Sequence, residues 1–306
     1  MPEQVPYHRV LVSSERRIWR GILAIILLIG GMFFFVIAFS LIGSEIDTRV
    51  FGRVNLANGG TDFTPIYMAC NFLAIAMLIP WSMMIQRWLY GLKGSIMHSV
   101  RSVFRPAVFG RALLLILPIM TLCLVIFNWY APYTTTEWGV NDLLVIFTLS
   151  ILIVPLQSAG EEYGFRGLVF QIASSWVRSP RASLIIGIVV SSVLFSAIHL
   201  PTDPWFNLYY IVLGVTFALM TWRTGGLEYA IVLHAVNNSL TYVLATVLRT
   251  DLLADVDRSA GMGGSEILLL PAAVIIFITI IVCYKTRHTG PKLTPQIIPN
   301  ENQTER

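Results

Sequence analysis

Charge is what this 306-residue chain has least of: Asp, Glu, Lys and Arg make up 12% of it, against 56% hydrophobic residues. A soluble globular domain carries about 25% charged residues, so half that proportion cannot cover a water-facing surface of this size. The shortage excludes a soluble enzyme, a disordered chain and a basic nucleic-acid-binding domain, and no nucleic-acid partner is expected. Cysteine is also scarce. Cys70, Cys123 and Cys283 all fall inside apolar runs, which argues against a disulfide framework or a zinc ribbon. The chain has no HExxH and no GxSxG, so it lacks both a zincin helix and a nucleophile elbow.

Long apolar runs are abundant. A helix crosses a bilayer in about 20 residues, and eight stretches qualify, near 18–42, 65–86, 107–130, 142–170, 182–200, 206–222, 227–248 and 266–284. The expected fold class is therefore an all-α polytopic membrane protein with about eight transmembrane helices. The first run is too long for a cleaved signal peptide and lacks a small-residue cleavage site. Trp19, Trp81, Trp88, Trp129, Trp176, Trp205 and Trp222 fall near span ends and Trp138 in a loop, as an interfacial aromatic belt requires.

With a cytoplasmic N-terminus, 17 of the 21 Lys and Arg lie inside; only Arg49, Arg53, Arg249 and Arg258 lie outside. The formal charge of +4 thus reflects cations held on the cytoplasmic face. Eight spans return the C-terminus to the same side. The predicted location is the cell (plasma) membrane, multi-pass. Residues 286–306 are polar and proline-bearing and read as a disordered cytoplasmic tail.

Ionisable residues inside a span each cost at least about 2.5–3.5 kcal/mol unless paired or wet. Three clusters stand out. In Gly160-Glu161-Glu162-Tyr163-Gly164-Phe165-Arg166-Gly167, Glu162 and Arg166 are four apart on one helix face and can pair, while Glu161 lies about 100° round and faces elsewhere. The same fourth run is interrupted by Gln157 and Ser158. His199 follows Phe195 by four at the end of the fifth run, where an imidazole can exchange a proton near neutral pH. His234 and Asn238 share one face of the seventh, with Asn237 turned away. Two such donors can hold an oxyanion or simply glue helices together. Each cluster alone admits a structural reading. Their concentration within 161–238 points to a functional site.

Glu161-Glu162-x-x-x-Arg166, Phe195-x-x-x-His199 and His234-x-x-x-Asn238 resemble the three ordered motifs of the CPBP family, also called Abi or type II CAAX prenyl endopeptidases. These are intramembrane glutamic proteases, typically of eight spans. The resemblance covers about 145–248. It implies an intramembrane endopeptidase with Glu161 as the general base, His199 orienting the water, His234 and Asn238 holding the oxyanion, and Glu162 with Arg166 in support. It also implies no cofactor or metal, a cavity opening to the cytoplasmic half, and a peptide or protein substrate cleaved near the membrane. Eukaryotic members trim prenylated CAAX proteins, and bacterial ones are linked to bacteriocin maturation, immunity or regulatory-peptide processing. The chain then divides into a three-span region at 1–140, a catalytic core at 141–248, an outer loop with the last span at 249–285, and the tail at 286–306.

Three other readings remain open. They are a metal-dependent hydrolase using the same Glu and His side chains, a non-catalytic membrane partner such as an immunity or sensor-binding protein, and a transporter with a polar path. A geometric requirement also follows. His199 ends a rising fifth span while Glu161 lies inward on a descending fourth, so the two meet if one long helix covers about 142–172 and carries Glu161 deep.

The orientation is tested by single-cysteine labelling in intact cells, with Cys70, Cys123 and Cys283 replaced by Ser. A membrane-impermeant maleimide should label Asn58→Cys and spare Ser102→Cys; the reverse pattern would place the cation-rich face outside.

Overall fold

The computed structural model describes residues 2–12, 17–60, 63–130, 135, 138–250 and 265–296. Among these the fold is all-α and without strands, and eight helices are long and apolar enough to cross a membrane. The spans are α1 (Ile18–Ile46), running on as a π turn to Phe51; α2 (Pro65–Ala76) with α3 (Leu78–Tyr90); α4 (Pro106–Tyr130); α5 (Val140–Leu152), α6 (Val154–Glu162), a π turn at Tyr163–Val169 and α7 (Phe170–Ser175) in one rod; α8 (Pro180–Ile198); α9 (Pro204–Thr224); α10 (Glu228–Leu248); and α11 (Leu269–Lys285). Large apolar side chains such as Phe34, Leu114, Leu122 and Trp129 point outward, each at least 64% exposed, as lipid-facing residues do.

Local chemistry sets the helix ends. Thr64 accepts from the Tyr67 N–H ahead of Pro65, and Asp203 accepts from the Trp205 and Phe206 N–H groups ahead of Pro204. Both are side-chain caps followed by proline at the first helical position. Gly225, at φ +69°, takes the left-handed turn that lets α9 stop and α10 start.

The fourth span is one rod from Val140 to Ser175, as the meeting of Glu161 with His199 requires. Its 36 residues extend about 54 Å, against a hydrocarbon core of about 30 Å. Glu161 therefore sits about 21 Å along the helix from Ser175, level with the far end of α8. Gly160 makes this possible. A Cβ there would lie 2.2 Å from the Ile75 carbonyl oxygen, so α6 and the end of α2 touch backbone to backbone. Around this rod α10 packs against α4, α5, α6 and α9.

Three expectations change. The first helix continues to Phe51 because Asp47, 1% exposed, gathers the Asn55 amide and the Thr64 hydroxyl and folds the following loop onto the helix end. Trp81 does not stand free at a span end: its indole N–H donates to the Leu27 carbonyl at 2.9 Å and its ring packs between Phe35 and Trp88. The tail is ordered as far as residue 296. Thr294 is buried, its N–H donates to the Val5 carbonyl and its hydroxyl to the Pro2 carbonyl, and Arg223 holds Thr286. Residues 297–306, and most of the outer loop at 249–265, lie outside the described residues.

The N-terminal segment that meets the tail inserts Tyr7 and His8 beneath the fourth span. The Tyr7 hydroxyl donates to the Met97 carbonyl, and the His8 ring stacks on Phe170. Burial, helped by the neighbouring Arg9, lowers the His8 pKa from its usual 6.5 to about 4. The unfolded segment binds the proton more readily than the docked one. Docking is thus at full strength above pH ~6.5 and weakens as pH falls toward 4. Hydrogen-exchange protection factors of residues 2–12, each rate divided by the intrinsic rate at that pH, should fall across that window in the native protein and change little in His8→Phe; an identical profile in both would show that His8 does not control docking.

Candidate active site

The fourth span delivers two adjacent carboxylates to different surroundings. Glu162 and Arg166 are fully buried, and a guanidinium Nη1–H donates to Glu162 Oε1 at 3.0 Å. The Arg166 Cζ lies 4.1 Å from the centre of the Phe195 ring and 5.0 Å from that of Phe217, so the cation is covered by two π faces. Residues Tyr163–Val169 form a π-helical stretch, a feature frequent at functional sites, and it carries Arg166.

Glu162 Oε1 also receives His234 Nδ1–H at 2.8 Å. This bond fixes the ring so that its other nitrogen faces Glu161, with Nε2 3.8 Å from Oε2. His199 is held in a parallel way. Its Nδ1–H donates to the Phe195 carbonyl at 2.6 Å, its ring stacks on Tyr210 at 4.1 Å, and its Nε2 is 3.8 Å from the same Glu161 Oε2. The two imidazole nitrogens and one carboxylate oxygen thus converge from three spans. At 3.8 Å the imidazole–carboxylate separations exceed a direct hydrogen bond and suit a bridging group. Glu161 Oε1 accepts from the Gln157 amide.

Asn238 donates weakly, at 3.4 Å, to both Gln157 Oε1 and Ser158 Oγ, and accepts from the Asn237 amide at 3.1 Å. Asn237 Oδ1 in turn accepts from the Tyr209 hydroxyl at 2.9 Å. Every residue singled out from the sequence, Glu161, Glu162, Arg166, His199, His234 and Asn238, therefore falls in one cluster. Asn237 is tied into it rather than turned away. Sequence reasoning missed Tyr209, Tyr210 and Phe217. Tyrosine and phenylalanine in an apolar run give no signal of their own, whereas Gln157 and Ser158 did, as polar breaks in a span.

Arg166, Gln171 and Phe217 on one side of the pair are buried, as are Tyr7, Val100 and Leu227. Exposure rises on the other side, at His199, Tyr209, Tyr210 and Asn238. Among the described residues no group of three or more His, Cys, Asp and Glu side chains is arranged to hold a metal ion.

Residues 140–240 match the family model described as type II CAAX prenyl endopeptidase Rce1-like, in agreement with the motif resemblance. YyaK of Bacillus subtilis (strain 168), an uncharacterized protein, is 24% identical over 120 residues, covering 37% of this chain and 39% of YyaK. The chain thus spans about two-fifths of the length of that curated relative. No solved structure matches it.

Removing Arg166 strands the Glu162 carboxylate in an apolar interior. Arg166→Ala should cost about 3–5 kcal/mol of stability, read as a lowered unfolding midpoint in detergent, and Glu162→Gln/Arg166→Met should recover much of it. A double variant as unstable as the single one would show that stacking, not charge, is what Arg166 contributes.

Proposed function

We propose that this chain, whose residues 140–240 match the Rce1-like type II CAAX prenyl endopeptidase model, is an intramembrane endopeptidase that hydrolyses a peptide bond with water activated by Glu161. The observation that carries the reading is the convergence of His199 Nε2 and His234 Nε2 on Glu161 Oε2, at 3.8 Å each. A water seated among the three can lie within hydrogen-bond reach of each. In this reading the bilayer is the working environment and the substrate is a membrane-associated peptide or protein. The cell membrane is the assigned location, both termini are cytoplasmic, and 141–248 is the catalytic unit.

Charge counting fits the mechanism. With its Nδ1–H committed to Glu162, the His234 ring donates from Nε2 only as an imidazolium, whose charge balances the net negative charge of Glu161, Glu162 and Arg166. A scissile carbonyl enters from the His199 and Asn238 side. Glu161 takes a proton from the water as its oxygen bonds to the carbonyl carbon, oriented by His199. The tetrahedral oxyanion that forms is met by His234 and by the Asn238 amide, whose 3.4 Å contacts are loose enough to exchange for it. One such donor is worth about 2.7–4 kcal/mol. The C–N bond then breaks as Glu161 returns the proton to the leaving nitrogen. Glu162 and Arg166 hold His234 and touch no substrate. No seryl or cysteinyl intermediate is needed.

The test compares protein termini in membranes from cells carrying the native chain or Glu161→Gln, inserted at equal levels. New C-termini near membrane segments should appear only with the native chain, and their yield should fall at least 100-fold in the variant. Cleavage should also survive EDTA and phenanthroline. Equal cleavage by Glu161→Gln would overturn the general-base role, and loss of activity with chelator would favour the metal-dependent reading. Glutamate and histidine variants that fully complement a deletion would favour the non-catalytic partner.

A further inference from the structure

A second built feature lies on the lipid-facing surface, away from the catalytic cluster. α1 packs on α2 and α3, and α8 packs on α7 and α9. Between α1 and α8 runs a groove of about 390 Å³, lined by Ile22, Ile26, Trp176, Val189, Val193 and Leu194 among others, all apolar. Ile22, Ile26, Val189 and Val193 are each at least 50% exposed. Trp176 closes one end against α1, where Gly21 allows the approach. A Cβ at Gly21 would come within 2.7 Å of the indole nitrogen.

That closed end is cationic. The turn after Trp176 carries Arg178 and Arg181, both exposed, and α1 begins just after Arg17. Arg9 joins them, its guanidinium donating to the Arg178 carbonyl at 3.0 Å. In the segments that meet at this end, Arg9, Arg16, Arg17, Arg20, Arg178 and Arg181 outnumber Glu3 and Glu15, so the net charge there is positive. The two helices start at this same end, so an apolar channel of one-chain width rises from a cluster of guanidinium groups beside an interfacial tryptophan.

We propose that this groove binds one anionic phospholipid, with an acyl chain lying between α1 and α8 and the phosphodiester held by Arg178, Arg181 and Arg9. Arginine suits a phosphate by its planar fork of donors, and cations at the interface attract an anionic headgroup. A zwitterionic lipid offers the same chain without the net charge. The site is independent of the hydrolytic reading, since none of its residues belongs to the cluster around Glu161. It covers the face of α8 two residues from Phe195, so the bound lipid also supports the helix that carries His199.

The test uses the full chain, stripped of lipid in detergent micelles and titrated with dioleoyl phosphatidylglycerol or dioleoyl phosphatidylcholine, with bound lipid counted by native mass spectrometry. One phosphatidylglycerol should be retained at concentrations where phosphatidylcholine is lost. Its affinity should fall at least tenfold in Arg178→Gln/Arg181→Gln. It should fall comparably in Val189→Trp, which fills the groove at an exposed position and leaves the cations in place. Equal retention of both lipids would overturn the proposal. So would Val189→Trp leaving affinity unchanged, which would show surface charge alone, or displacement of the lipid by millimolar inorganic phosphate, which would show a headgroup site without a chain.

Discussion

The fold turns on one buried ion pair. A guanidinium and a carboxylate, both fully buried, sit beside Glu161 in the interior of a chain whose other charges lie mostly toward the ends of its spans. Such a pair persists only when its remaining valences are met. Here they are met only in part: Phe195 and Phe217 cover the cation and His234 takes the carboxylate oxygen that Arg166 also uses, while Glu162 Oε2 and Arg166 Nε and Nη2 have no hydrogen-bond partner among the described residues. Those contacts tie the fourth, fifth, sixth and seventh spans to one point. The π-helical stretch that carries Arg166 and the bare backbone contact at Gly160 are the local distortions that bring the fourth span into that position.

The same pair separates the roles of two neighbouring glutamates. Glu162 is neutralised by Arg166 and serves as a fixed acceptor for the His234 ring. Glu161, one residue earlier, turns about 100° away to where two imidazole nitrogens stand 3.8 Å from its oxygen. Adjacent carboxylates with unlike partners are a recurrent way of giving one a structural task and leaving the other for proton transfer. Each histidine has its Nδ1 committed to an acceptor, Phe195 O or Glu162 Oε1, and each therefore presents Nε2 to the same point. The aromatic stacks on Tyr210 and Phe217 hold the ring planes.

Much of this was legible in the residues. Scarce charge and eight apolar runs defined the spans, and the polar interruptions at Gln157, Ser158, Glu161 and Glu162 marked the site, because a bilayer makes every buried polar atom conspicuous. Helical spacing correctly paired Glu162 with Arg166 and separated Glu161 from them. The side chains that depend on packing were not legible. Tyr209, Tyr210 and Phe217 look like any span residues until the helices are placed, and Asn237, aimed away by helical angle, is reached by a neighbouring span. Composition misjudged the start of the tail, because its polar residues bond to the N-terminal segment rather than to water.

The central claim is that Glu161, His199 and His234 share a water at the point where they converge. An experimental density map of the protein in a lipid disc, at a resolution that shows ordered solvent, tests it directly. The account predicts one water-sized peak at about 2.6–3.2 Å from Glu161 Oε2 and from at least one imidazole Nε2. A peak at about 2.0–2.2 Å from Glu161 and both imidazoles, the distances of a zinc ion, or a protein side chain filling the point, would contradict it.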